Sequence, residues 1–169
     1  MQMVKKAILS IVLLALFLII FMPKQELYYE LERQLQQYNV TITGESIEEG
    51  ILGLTIEHPI VYFNGAIIAT ADTIKLSTLL AYTTVDIVNL DVADGMPVHI
   101  NIADATLTHS LLSPTSIKIV ASSSIGGIDG SVALVDRSIH LSVDNNGSKG
   151  IFKQYLKKTK EGWQYESRF

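Results

Sequence analysis

Four histidines, His58, His99, His109 and His140, are the side chains in this chain best suited to acid–base or metal chemistry. Histidine titrates near neutral pH and ligates metals through either ring nitrogen. Zinc sites draw their ligands at short, repeated spacings, and these four are scattered without any. His99 and His140 alternate with apolar neighbours and read as solvated side chains on polar strand faces. Asp86, Asp91, Asp94 and Asp104 form an acidic stretch, but a calcium loop needs oxygen ligands at alternate positions around a glycine turn. Residues 91–95 do not complete that pattern, so the acids read as solvated strand ends. The serine nucleophile elbow Gly-x-Ser-x-Gly does not occur. Gly126-Gly127-Ile128-Asp129-Gly130 has the composition of a phosphate loop, yet no helix follows whose N-terminus would receive the phosphate. A tight turn or bulge is the expectation there. The chain contains no cysteine, which removes thiol nucleophiles and cysteine zinc sites. These readings together point to a protein that is not an enzyme, with no catalytic, cofactor or metal residues. One modification signal stands apart: Asn146-Gly147-Ser148, preceded by Asp144, is an acceptor pattern for N-glycosylation. The alternative is a turn rich in Asn and Gly.

The elements that would carry any such chemistry are mostly strands. From Asn39 onward short alternating or apolar runs recur, at 40–43, 52–57, 60–63, 66–71, 73–76, 84–92, 98–103, 117–122, 131–135 and 138–143. Glycine, asparagine and aspartate punctuate them. That spacing predicts a curved antiparallel meander. Asn64-Gly65 is a two-residue hairpin signal, residues 77–82 read as a short helical turn, and 111–114 as a loop or edge. The alternation sorts the faces. Val98, Ile100 and Ile102 share one side of their strand, Ile117 and Ile119 of theirs, and Ile139, Leu141 and Val143 of theirs. Such a face must be covered: by its own curvature, by a helix, or by a lipid or protein partner.

Two helices are expected ahead of this mainly β domain. Lys5 and Lys6 precede a predominantly apolar run over residues 7–22, closed by Pro23-Lys24. Sixteen residues rise about 24 Å, and lysine stems extend the effective span toward the roughly 30 Å of a bilayer core. Bulky residues stand where a signal peptidase needs small ones. The expectation is therefore an uncleaved transmembrane signal-anchor over 7–23, with a cleaved signal or a buried core helix as the alternatives. By the positive-inside rule residues 1–6 stay cytoplasmic and the rest is exported. A juxtamembrane helix over 24–38, opened by Pro23, carries Leu27, Leu31 and Leu35 at helical spacing and is expected to pack on one end of the sheet.

Charge is unevenly spread. Residues 24–144 hold five basic and fifteen acidic side chains, a net of −10, whereas 145–169 hold six basic and two acidic, a net of +4. An acidic body excludes nucleic acid as a partner, since phosphate neutralisation supplies most of that affinity. The tail predicts a basic amphipathic helix over 149–160, with Ile151, Phe152, Tyr155 and Leu156 as its stripe, then a last strand over 162–167. Such a helix can lie on an anionic surface; folding back on the acidic body is the favoured reading.

The order of these parts resembles a known family. A short anchor, Pro23, the helix over 24–38, a meander opening with Val40-Thr41-Ile42, the run Gly126-Gly127-Ile128-Asp129-Gly130-Ser131-Val132, and the closing Gly162-Trp163-Gln164-Tyr165 look like the type II secretion system protein N family, GspN, and the related AsmA-like envelope proteins. That resemblance implies a single-pass bacterial inner-membrane protein, its curved periplasmic β-sheet apolar on the inside. It implies partners in the membrane and among envelope or secretion-system proteins, and a role as an accessory of a type II secretion-like export apparatus acting through protein contacts. The AsmA-like side of the resemblance implies instead a module that binds or transports phospholipid on the apolar face. Neither offers a catalytic residue or a cofactor.

Overall fold

The structure, a computed structural model, describes residues 2–21, 23–79, 81–92, 100–124, 126–144, 156–159 and 162–168. Two helices lead. α1 spans Gln2–Ile20 and α2 spans Lys24–Gln36. Pro23 lies immediately before α2, where its missing N–H sacrifices no helical bond. α1 bears apolar side chains on all sides, and Ile8, Leu9, Ile11, Leu13, Leu14, Phe17 and Leu18 are exposed. No helix among the described residues is long and apolar enough to cross a membrane. Lys5 and Lys6 lie inside α1 rather than ahead of it, so only residues 7–20 remain, a rise of about 21 Å against a core of about 30 Å. The transmembrane segment expected over 7–23 is therefore unsupported.

Asn39, with φ of 60°, turns the chain out of helix and into strands. These are β1 (Val40–Thr43), β2 (Ser46–Glu49), β3 (Gly53–Glu57), β4 (Ile60–Phe63), β5 (Ala66–Thr70), β6 (Thr73–Leu79), β7 (Tyr82–Val92), β8 (Ile100–Ser110), β9 (Ser113–Ser123), β10 (Gly126–Ala133), β11 (Ser138–Val143), β12 (Lys157–Thr159) and β13 (Gly162–Arg168). All belong to one open antiparallel sheet, ordered β1-β4-β5-β7-β8-β9-β10-β11-β13-β12, with a second arm β2-β3-β6 joined at β7. The mainly β, antiparallel expectation holds.

β7 creates the branch. Its first part, Tyr82 to Val88, pairs with β6, and its last two residues, Asp91 and Val92, pair with β5. Between them Asn89 takes φ of 51°. The Asn89 Nδ2 donates to Asp72 Oδ2 at 2.7 Å, and the Asp72 N–H to the Val88 carbonyl at 3.1 Å. Opposite, β8 shifts register against β9 between Ile102 and Asp104. Bulges of this kind add twist and bend the strand, which lets one long strand serve two partners.

The core gathers at the branched end. α2 packs on β1, β2 and β3, with Tyr28 buried against Leu54 and Ile56 and flanked by Ile47, Ile74 and Leu76. The packed face of α2 differs from the expected leucine stripe: Lys24 and Tyr28 are buried, while Leu27 and Leu31 stay about half exposed. Tyr28 is preferred inward because its ring fills the core while its hydroxyl still reaches Glu45 Oε1 at 3.3 Å.

Local expectations fare unevenly. Asn64 and Gly65 both have positive φ, 51° and 81°, the primed geometry that matches strand twist. Residues 77–82 are not helical: β6 continues to Leu79 and β7 starts at Tyr82, with a Thr78–Thr83 hydroxyl contact of 3.3 Å across the ladder. The glycine run 126–130 is no turn but the start of β10, paired with β9 throughout and with β11 from Ile128. A Cβ on Gly130 would collide with the His140 carbonyl oxygen and the Leu141 side chain, so glycine permits that close approach. The basic helix over 149–160 is corrected at 157–159, where β12 pairs with β13 and the backbone is satisfied by the ladder with a neighbouring strand. Residues 145–155 lie outside the described set, as does most of the expected apolar stripe.

Candidate functional site

Register, not proximity in sequence, builds the feature that dominates this molecule. Cross-strand partners share a face, and two rows of partners run across eight strands. One is Ile56, Ile74, Ile87, Ala105, Ala121, Ile128, Val143 and Trp163. The next is Leu54, Leu76, Val85, Leu107, Ile119, Gly130, Leu141 and Tyr165. Not one member of either row is charged. A third, shorter row joins Ile117, Val132 and Ile139.

Of the apolar residues singled out from the sequence, Ile117, Ile119, Ile139, Leu141 and Val143 thus fall together. Ile102 lies beyond the β8 register shift, opposite Leu90 and Ser123, and Ile100 is opposite Val92. Val98 lies outside the described residues, as does Asn146. Along β10, β11 and β13 most of the face is half-buried. Among the described residues, the helix contacts with the sheet fall at β1, β2 and β3.

At the branched end the same face becomes a cleft. α2 stands over β1, β3 and β6 without filling the space beneath it, leaving a volume of about 430 Å³. Leu27, Tyr28 and Leu31 line one side, Leu54, Ile56, Ile74 and Leu76 the floor, and Ile42 and Leu52 the flanks. A volume of this size and apolar lining is typical of small-ligand sites. The residues that form the mouth, Leu27 and Leu31, were legible as apolar. Their pairing with a sheet floor was not, because it depends on how α2 is rotated.

One polar device closes the end of the cleft beside α1. Lys24 is about nine-tenths buried, donates from Nζ to the Ile20 carbonyl at 3.4 Å, and lies 3.5 Å from Glu49 Oε1. It therefore ties the end of α1 to β2 at the cleft wall. Burial of the Tyr28 hydroxyl, reinforced by the negative charge and hydrogen bond of Glu45, pushes its pKa above the usual tyrosine value. The group stays neutral and remains a donor to the carboxylate.

The histidines of the described residues are spread over the sheet, without a reactive arrangement. His140 has Nε2 3.3 Å from Ser138 Oγ and Nδ1 3.9 Å from Glu166 Oε1. His109, opposite Ile117, has Nε2 3.2 Å from the Pro114 carbonyl oxygen, and two strands, β9 and β10, separate its strand from β11. His58 adopts φ of 53° at the turn before Pro59, and His99 lies outside the described residues. No group of three metal-ligating side chains occurs among the described residues. No family model matches the chain, and neither a curated protein nor a solved structure does.

Proposed function

We propose that this chain is a membrane-tethered, non-enzymatic envelope module that holds lipid acyl chains in the cleft under α2 and along the apolar sheet face. The observation that carries this reading is continuity. α1, predominantly apolar beyond Lys6, leads through Pro23 directly into the helix that roofs the cleft, so a bilayer around α1 would bring acyl chains to the cleft mouth. A chain that enters covers the apolar lining of the cleft, at about 25 cal/mol per Å² of that lining removed from water. The anchor embeds with Lys5 and Lys6 reaching the headgroup level, its apolar stretch short enough to thin the bilayer locally. In a bacterial cell the domain would face the periplasm from the inner membrane. This is the AsmA-like reading of the resemblance.

The test uses the full chain purified in neutral detergent, with its bound lipid counted by mass spectrometry. Retention of about one phospholipid or more per chain supports the reading. Leu31→Glu should lose it, since Leu31 lines the cleft yet is half exposed, and a carboxylate there disturbs lipid more than fold. Equal lipid in wild type and variant would sink the cleft as the site.

A second reading, an accessory of a secretion-like apparatus, is favoured by one observation. β1, β2 and β12 each pair on one side only among the described strands, leaving edges open to strand addition by a partner protein. Crosslinking from Ser46 in whole cells to an envelope protein, in place of lipid in the cleft, would turn the argument this way.

A further inference from the structure

We infer that the cleft selects zwitterionic lipids whose headgroup joins a phosphate to a primary ammonium, over anionic lipids with the same chains. This inference rests on the lipid reading above and adds the headgroup to it. Among the described residues that line the cleft, Lys24 carries the sole charge, and it lies at the end where α1 meets α2. A lipid whose chains run beneath Leu27 and Leu31 therefore places its phosphate beside Lys24. That lysine is already matched by Glu49, so a second anion arrives at a site with no positive charge to spare.

The surroundings add to the cost for an anion. Residues 24–49 contain two basic side chains, Lys24 and Arg33, against six glutamates. Glu45 and Glu49 are held at this end by Tyr28 and Lys24, and Glu49 shares with Ile47 the face of β2 that pairs with Leu54 and Ile56 on the cleft side. A headgroup of net charge −1 is repelled by this acidic edge. A zwitterion answers both halves of it: phosphate toward Lys24, and an ammonium with three N–H donors toward the carboxylates.

The test presents the full chain, in neutral detergent, with an equimolar mixture of dioleoyl lipids bearing ethanolamine or glycerol headgroups, and reads bound lipid by native mass spectrometry. Ethanolamine lipid should exceed glycerol lipid by about three- to fivefold, the ratio expected for partly exposed charges, and the excess should shrink as salt is raised. The variant Glu49→Gln, which removes the carboxylate that matches Lys24, should bring the ratio toward one. Equal or reversed occupancy in wild type would overturn the headgroup inference while leaving lipid binding intact. An unchanged ratio in the variant would overturn its electrostatic basis. Absence of both adducts would remove the lipid reading itself, and this inference with it.

Discussion

Replacing Tyr28 tests whether α2 is docked by packing or by its polar contact. The ring is buried to 6% exposure against Leu54 and Ile56. Its hydroxyl makes one rather long bond, 3.3 Å, to Glu45. Removing only the hydroxyl in Tyr28→Phe should cost about 0.5–1 kcal/mol, the net worth of a single partly solvated hydrogen bond. Removing the ring in Tyr28→Ala should cost about 3 kcal/mol. That is the low end for a large aromatic, because the void opens into the existing cleft and adds little new enclosed cavity. Urea unfolding of the full chain in neutral detergent, followed by Trp163 fluorescence, would report both. With a slope of about 2 kcal/mol per molar, the midpoint should fall by roughly 1–2 M for alanine and by less than about 0.5 M for phenylalanine. Equal losses for the two variants would refute packing as the main attachment, and a loss below about 1 kcal/mol for alanine would show that α2 is not docked at all.

Tyr28 also gives a pH signature: its folded pKa is raised, so the folded state holds that proton more tightly than the unfolded one. The contribution is complete below the ordinary tyrosine value of about 10 and is lost as pH climbs beyond it; unfolding free energy measured above that pH should fall in wild type and fall less in Tyr28→Phe. Gly130→Ala should destabilise by about 1–3 kcal/mol through overpacking, since its Cβ meets the His140 carbonyl and Leu141. Gly50→Ala, whose Cβ meets only the Gly53 carbonyl oxygen at 3.4 Å, should change the same denaturation midpoint far less.

Where the chain's signals were local, they could be read directly. Residues 40–43 and 138–143 alternate, 60–63 are a short apolar run, and all three form strands with those bounds, and Asn64-Gly65 fixes its hairpin through two positive φ angles. β2 escaped notice because Ser46-Ile47-Glu48-Glu49 has a single apolar residue, and its strand character comes from pairing with β3. β8 extends seven residues past Ala103 because threonines at 106 and 108 suit a ladder whose partners are distant in sequence. The glycine run misled for the opposite reason. Gly130 serves a close cross-strand approach, not a turn. At the candidate site the apolar alternation was visible, but two features were not. The positive φ at Asn89 where β7 changes partner with the register shift beside Asp104, and the rotation of α2 that leaves Leu27 and Leu31 over the cleft, both arise from tertiary packing.

Acyl-chain occupancy of the cleft is the central claim, and photocrosslinking reads it position by position. The full chain would be reconstituted with a phospholipid carrying a diazirine midway along one acyl chain, irradiated, digested and mapped. The account predicts adducts on Leu27, Leu31, Leu54 and Ile74 in addition to those on α1. Adducts confined to α1, with the cleft residues unlabelled, would contradict it.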